Sequence, residues 1–129
     1  MKNQTRLLVI EDDAKDLRMA DEAAKAAGFH EVEARVTVEA ARKYLEKGLE
    51  EENSLPDGIV LDLDLGYESG YELLRFWHKT PQLHSIPLVV WSILGPEHAD
   101  MCKLFKVNSF VSKWEGSEAI RNALAGLVR

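Results

Sequence analysis

The sequence predicts an α/β protein in which helices cover both faces of one doubly wound parallel sheet of five strands. Short apolar runs alternate with helical patterns five times along the 129 residues, as expected when a helix connects each pair of parallel strands. Three of the runs are almost continuous in Val, Ile and Leu, which is typical of strands buried on both sides. The length suits one domain, so we expect residues 1–129 to form a single domain.

The five predicted strands differ in how deeply they should be buried. The second run alternates polar and apolar residues, so it is expected at an edge of the sheet. The first, third and fourth runs are expected in the middle. In chain order the runs are RLLVI, HEVEARV, DGIVLD, IPLVVW and SFVS.

Local signals predict where the first three helices begin and end. An Ala-rich helix over residues 14–27 should stop at Gly28, and Thr37 should cap a helix over residues 38–47. The segment SGYE at residues 69–72 is interpreted as a capping box at the start of the third helix. The apolar residues expected on the inner face of that helix are Leu73, Leu74 and Trp77.

Two further helices follow the fourth and fifth strands. Pro96 suits the first turn of the fourth helix, and the fifth is predicted to begin at about Ser117. The apolar residues at helical spacing in the fourth are Met101, Leu104 and Phe105. Those expected to face inward from the fifth are Ile120, Leu124 and Leu127.

Composition excludes several classes of function and indicates the compartment. The single Cys102 excludes an internal disulfide framework, and no Cys/His spacing typical of structural zinc is present. The first apolar run is too short for a signal peptide or a membrane span, so we expect a cytoplasmic protein. The net charge is −6 and Lys and Arg form no basic stripe, which argues against direct nucleic-acid binding.

Polar residues gather where the predicted strands end, which is the edge where doubly wound sheets bind ligands. If strands one and three are adjacent, Glu11 or Asp12 converges on Asp62, and two charges about 4 Å apart repel by about 4 kcal/mol at an effective dielectric of 20. A proton or a cation must relieve this repulsion, and an open site with oxygen ligands suits Mg²⁺. The residues at the strand ends are Glu11, Asp12, Asp13, Asp62, Asp64, Ser92 and Lys113.

This set of side chains suits a phosphoryl group. A metal and Lys113 can offset the charge of phosphoryl oxygens, and Ser92 can donate a hydrogen bond to one of them. An aspartate in line can then act as nucleophile and form an acyl phosphate. The nucleophile should lie at the strand terminus, which favours Asp62 over the more loop-like Asp64.

Four motifs support a resemblance to a known family. They are LLVIEDD, PDGIVLDLDLGYESGYELL, IPLVVWS and SFVSK, and their order along the chain makes the match specific. With them the whole chain resembles the response-regulator receiver domain of bacterial two-component signalling, of the stand-alone, chemotaxis type. The resemblance implies a flavodoxin-like fold with strand order 2-1-3-4-5 and five helices.

The resemblance also implies roles for individual residues. Asp62 would be phosphorylated, and Ser92 and Lys113 would bind the phosphoryl group. Ser92 and the aromatic Phe110 would form the switch that responds to it. The ligands implied for Mg²⁺ are Glu11, Asp12, Asp62 and the backbone carbonyl of Asp64.

Partners follow from the same resemblance. A sensor histidine kinase or a phosphotransfer protein would donate the phosphoryl group. The fourth helix, fifth strand and fifth helix would present the signal to a downstream protein. Such a domain is not an enzyme beyond its own phosphorylation and dephosphorylation.

Two residues depart from the family pattern. Trp114 follows Lys113 where the family usually has a proline in a cis bond, and because a cis bond before tryptophan costs about 2.5 to 4 kcal/mol, we expect a trans bond. Asp64 adds a carboxylate where the family often has a neutral side chain. Its charge should repel the phosphoryl group or reposition the attacking water, and so modulate the lifetime of the phosphorylated state.

Two alternatives remain open at this level. IVLDLDLG also fits the nucleophile motif of haloacid dehalogenase-like phosphatases, with Asp62 as nucleophile and Asp64 as general acid. The order of motifs opposes that class, because its acidic pair normally follows the nucleophile. The second alternative is a degenerate receiver that binds a partner without phosphorylation.

Overall fold

The five apolar runs of the sequence form one parallel sheet. A computed structural model describes residues 5–51 and 54–128 of the chain. Its strands are β1 (Arg6–Ile10), β2 (Glu31–Arg35), β3 (Gly58–Leu61), β4 (Leu88–Ser92) and β5 (Ser109–Ser112). Their order is β2-β1-β3-β4-β5 and every pairing is parallel, which confirms the predicted fold class and strand order.

Burial along the sheet follows the predicted order. All four residues of β3 and all five of β4 are buried, whereas β2 has no fully buried residue and lies at an edge. Side chains alternate between the two faces, as strand geometry requires. Leu8 and Leu61 belong to one apolar cluster, and Leu7 and Trp91 belong to the other.

Five helices cover these two faces. They are α1 (Ala14–Ala27), α2 (Val38–Glu50), α3 (Tyr71–Lys79), α4 (Pro96–Lys103) and α5 (Ser117–Ala125). Helices α1 and α5 pack on the face with Trp91, and α2, α3 and α4 pack on the other. Gly28 ends α1 in the left-handed conformation, and the hydroxyl of Thr37 accepts a hydrogen bond from the N–H of Ala40 at 3.0 Å, so both predicted caps are confirmed. Helix α2 continues three residues beyond its predicted end.

The predicted capping box before α3 is wrong. Ser69 lies in the second strand of a short antiparallel hairpin, Asp64–Leu65 with Glu68–Ser69, and the helix begins only at Tyr71. Gly70 therefore takes the N-cap position, without a side chain that could bond a free N–H. The inner face of the helix was predicted correctly, because Leu73, Leu74 and Trp77 are all buried.

The apolar face predicted for α4 is also partly wrong. The helix ends at Lys103, and Met101 and Leu104 are 49% and 71% exposed. Cys102 is the buried residue of this helix, and Phe105 packs against the same cluster from just beyond its end.

The last helix agrees better with the sequence. Ile120 and Leu124 are fully buried, and Leu127 packs on the same cluster after the helix has ended. Within the described ranges no helix is long and apolar enough to cross a membrane. The expectation about a signal peptide falls partly on residues 1–4, which lie outside the described residues.

Candidate functional site

The ends of β1, β3 and β5 meet at an acidic cleft of about 280 Å³. Carboxylate oxygens of Glu11, Asp12 and Asp62 all lie within 4.8 Å of one another, so the convergence predicted from the sequence is confirmed. The residues that line the cleft are Glu11, Asp12, Asp13, Asp16, Asp62, Asp64, Gly66, Ile93 and Lys113.

The cleft has a floor, formed by Glu11, Asp62 and Lys113, and a rim, formed by Asp12 and Asp64. Glu11 and Asp62 are 1% and 3% exposed, whereas both rim residues are exposed. The backbone holds the floor in place, because the N–H of Glu11 donates to Arg35 and that of Asp62 to Ile10, at 3.1 and 3.0 Å. These bonds continue the hydrogen-bonding pattern of the sheet by one residue and so fix the backbone positions of Glu11 and Asp62.

Lys113 is the cation of the floor. Its Nζ lies 2.5 Å from Oε1 of Glu11, 2.8 Å from Oδ2 of Asp16 and 3.4 Å from Oδ2 of Asp62. It also lies 5.0 Å from the centre of the Trp91 ring, which is within the range of a cation–π contact. One ammonium therefore faces three carboxylates.

This single positive charge does not balance the floor. Burial raises the pKa of Glu11 to about 7, the hydrogen bond from Lys113 opposes the rise, and the nearby charge of Asp62 adds to it. Burial also raises the pKa of Asp62, and this effect outweighs the hydrogen bond from the N–H of Asp64 and the charge of Lys113, which both lower it. The floor therefore holds more negative charge than its lysine can stabilise, which favours uptake of a further cation.

The two aspartates of the LDLD segment occupy different environments. Strand β3 ends at Leu61, so Asp62 and Asp64 lie beyond it and diverge, one buried and the other exposed. The N–H of Asp64 donates to Oδ1 of Asp62 at 3.1 Å. Gly70 packs so closely on this segment that a Cβ there would overlap the carbonyl oxygen of Asp62.

The predicted switch residues lie beside the cleft. Ser92, the last residue of β4, is fully buried, and its hydroxyl accepts a hydrogen bond from the N–H of Leu94 at 3.1 Å. Its neighbour Ile93 lines the cleft. Phe110, in β5, is half-buried and packs against the cluster on the side of α4.

Trp114 leaves the site intact. The described residues contain no cis peptide bond, so the bond between Lys113 and Trp114 is trans, as predicted. A 3₁₀ turn over Lys113–Glu115 follows, and Ser112 caps it with a hydroxyl that accepts from the N–H of Trp114 at 3.1 Å. The Trp114 side chain is 81% exposed.

Sequence reasoning missed two contacts of Lys113. Asp16 lies in the first turn of α1, three residues after the N-cap residue Asp13, where an acidic side chain is favoured by the helix dipole. Nothing in that local pattern identifies a lysine 97 residues away as its partner. Trp91 directly precedes Ser92, and nothing in the local pattern distinguishes it from an ordinary buried strand residue.

Comparisons with known proteins agree with this geometry. No protein-family model matches the chain. Response regulator Rcp1 of Synechocystis sp. is 36% identical over 86 residues, which are 65% of this chain and 58% of that protein. The chain thus spans less than two thirds of that relative.

Solved structures match over more of the length. The phosphorylated cyanobacterial phytochrome response regulator RcpA is 29% identical with a TM-score of 0.78, and the match covers 96% of this chain and 91% of that one. The bacteriophytochrome response regulator RtBRR is 30% identical with a TM-score of 0.78, over 98% and 79%. The Mn²⁺-bound form of Rcp1 is 26% identical with a TM-score of 0.77, over 95% and 91%.

The chain belongs to the response-regulator receiver family of two-component systems. All of these relatives are response regulators, and none is described as a phosphatase. The haloacid dehalogenase alternative therefore has no support from the comparisons.

Proposed function

We propose that residues 1–129 act as one receiver domain that accepts a phosphoryl group on Asp62 from a phosphohistidine. The donor would be a sensor histidine kinase or a phosphotransfer protein. The supporting observation is the floor of the cleft, where the buried carboxylate of Asp62 lies 3.4 Å from the ammonium of Lys113. The relative RcpA has a structure described as phosphorylated, which also supports the proposal.

The residues present fit a hard divalent cation. Glu11, Asp12 and Asp62 offer three carboxylate oxygens within 4.8 Å of one another, and the carbonyl of Asp64 is a further candidate. The excess negative charge of the floor and the Mn²⁺-bound form of Rcp1 support a divalent ion. Among divalent ions, Mg²⁺ suits an open site with few carboxylates. When bound, it would neutralise charge on the phosphoryl oxygens.

Two residues of the floor take a direct part in the transfer. A carboxylate oxygen of Asp62 attacks phosphorus, the bond between phosphorus and the imidazole nitrogen breaks, and that nitrogen keeps the electron pair. Lys113 stabilises the negative charge of the phosphoryl oxygens. Dephosphorylation is a separate reaction, in which water attacks phosphorus and loses a proton to solvent while the bond to the Asp62 oxygen breaks, so that inorganic phosphate and the free carboxylate are released. The domain would thus catalyse only its own phosphorylation and dephosphorylation.

The output would pass through the β4–α4 loop. Ser92 would turn its hydroxyl from the N–H of Leu94 to a phosphoryl oxygen, and Phe110 would turn inward in response. That movement would reshape the surface of α4, β5 and α5, where a downstream protein would bind. The acidic net charge supports a protein partner and not nucleic acid as the direct target.

Mass spectrometry tests the acceptor. The protein is incubated with Mg²⁺ and acetyl phosphate, beside Asp62→Asn and, as a matched loss of one exposed charge, Asp100→Asn. We expect one added phosphoryl group in the wild type and in Asp100→Asn, and none in Asp62→Asn. Equal labelling of Asp62→Asn would refute the assignment, and an unlabelled wild type would favour a receiver that works without phosphorylation.

The proposed switch has its own test. Beryllofluoride with Mg²⁺ imitates the acyl phosphate, and NMR spectra of the aromatic side chains report its effect on Phe110. We expect shifts at Phe110 and across α4, β5 and α5. Shifts confined to the cleft would contradict the coupling but not the site of phosphorylation.

A further inference from the structure

Asp16 differs from the other partners of Lys113. Its Oδ2 lies 2.8 Å from Nζ, closer than the 3.4 Å of Asp62. Glu11 and Asp62 both belong to the carboxylate cluster that could hold a metal, whereas Asp16 does not. It is therefore the one carboxylate of the three that a cation in the cluster would leave to the lysine.

The position of Asp16 is well defined by the start of α1. Its N–H donates to Oδ2 of the N-cap residue Asp13 at 2.9 Å, which holds the first turn of the helix. Its side chain is about one quarter exposed, against 9% for Lys113. The carboxylate thus reaches the buried ammonium from the open side of the cleft.

Asp16 also contributes to the charge state of the lysine. Burial lowers the pKa of Lys113, but hydrogen bonds to Asp16 and Glu11 outweigh burial, so the pKa is above its ordinary range. When a divalent cation attracts Glu11 and Asp62, the hold of these two groups on the ammonium weakens. A lysine side chain that loses its partners regains rotamer freedom and is no longer directed at one point.

We propose that Asp16 is a positioning residue that keeps Lys113 directed at Asp62 while a metal occupies the carboxylate cluster. The inference deepens the proposed function and, for its effect on phosphoryl transfer, rests on it. Asp16 does not touch the reacting atoms and acts through the lysine. Lys113 can use one N–H for Asp16 and keep another for a phosphoryl oxygen, because its ammonium has three donors.

The first experiment needs no phosphorylation. Lys113 is acylated with dilute acetic anhydride, and peptide mass spectrometry gives its labelling rate with and without Mg²⁺. We expect a slow rate in the wild type in both conditions. In Asp16→Asn the labelling rate of Lys113 should rise about tenfold. The rise should be larger with Mg²⁺ than without it, because Mg²⁺ then attracts Glu11 and Asp62, the two remaining partners of the lysine.

The control for this experiment is Asp21→Asn. This substitution removes the same charge from the same helix, but the partner of Asp21 is Lys25. The labelling rate of Lys113 in Asp21→Asn should match that in the wild type. If Asp16→Asn labels Lys113 no faster than Asp21→Asn in Mg²⁺, the inference is wrong.

The second experiment measures beryllofluoride affinity in Mg²⁺ by ¹⁹F NMR. We expect Asp16→Asn to bind about tenfold more weakly and Asp16→Glu to recover part of the loss. In a Lys113→Ala background Asp16→Asn should cause no further loss, whereas a purely structural role for Asp16 would add a loss there as well. Equal or tighter binding by Asp16→Asn would overturn the inference and leave the proposed function standing.

A wild-type protein that fails to bind beryllofluoride would instead contradict the proposed function. The labelling rates then decide by themselves whether Asp16 anchors the lysine.

Discussion

The floor and the rim of the cleft contain the same type of side chain in two environments. Glu11 and Asp62 on the floor are buried, share one ammonium and have raised pKa values. Asp12 and Asp64 on the rim are exposed to water. Carboxylates a few ångströms apart are thus strongly coupled on the floor, while water screens those on the rim.

The difference teaches which residues perform chemistry and which adjust it. Removing a buried charge is costly, because the charged groups that it paired with stay buried and water cannot solvate them in its place. An exposed charge can be added or removed at little cost to the fold. Because Asp12 belongs to the carboxylate cluster that could hold a metal, Asp64 is the rim residue that could vary the timing of the proposed receiver without altering its chemistry.

The largest effect is expected when the floor loses its cation. In Lys113→Met the two buried carboxylates keep their backbone N–H donors but lose the ammonium that balances their charge, so at pH 8 and without divalent ions the free energy of unfolding should fall by about 3 kcal/mol. Urea unfolding measures the loss, and Mg²⁺ should restore part of it. Lys43→Met, which removes an exposed helix pair with Glu39, should cost at most about 0.5 kcal/mol. Equal losses in the two variants would remove the distinction between floor and surface.

A change beneath the floor should have the next largest effect. In Gly70→Ala the new Cβ overlaps the carbonyl oxygen of Asp62, so the backbone of that residue must shift. We expect a loss of about 2 kcal/mol in thermal unfolding. Gly126→Ala is the matched control, because Gly126 has φ −67° and ψ −17° and its Cβ would meet nothing nearer than 3.4 Å. Unchanged stability of Gly70→Ala would show that the contact is not tight.

The raised pKa of Glu11 predicts how metal affinity depends on pH. A proton on Glu11 competes with a cation, and because the pKa is about 7, the carboxylate is free above that value and protonated below it. Calorimetric titration with Mg²⁺ should show an affinity that falls about tenfold per pH unit below pH 7 and levels off above it. Glu11→Gln should bind more weakly at high pH and lack the step near pH 7. A step that persists in this variant would assign it to another group.

The smallest effect is expected on the rim. Asp64→Asn should lengthen the lifetime of the phosphorylated state by about threefold, which is the size expected for one screened charge. The rate of phosphate release measures it, and the free energy of unfolding should change by less than about 0.5 kcal/mol. An unchanged lifetime would leave Asp64 with a structural role only, as a residue of the hairpin.

The central strands could be predicted because strands that are buried on both faces are continuously apolar in sequence. GIVL and LVVW are apolar throughout, and the polar residues that follow them therefore mark the carboxyl edge of the sheet. The same pattern allowed Asp62 to be predicted over Asp64 as the residue at the strand terminus, because Asp62 directly follows the last apolar residue of β3.

The errors arose where the local sequence pattern of a helix does not decide its ends or its contacts. SGYE has the residues of a capping box, but Ser69 pairs with Asp64 in a hairpin, and Gly70 starts the helix because it must pack on the backbone of Asp62. Met101 and Leu104 have helical spacing, but α4 ends before the second can turn inward. Asp16 was missed because only the folded sheet brings it to Lys113.

The indole of Trp91 gives this site an optical reporter of its own. It lies 5.0 Å beneath the ammonium of Lys113, and its ring N–H has no hydrogen-bond partner among residues 5–51 and 54–128. A positive charge over an indole ring shifts its fluorescence, so the emission of Trp91 records where the lysine is. With Trp77 and Trp114 replaced by phenylalanine, movement of the Lys113 ammonium would be detected as a shift in the emission wavelength of Trp91, without an added dye.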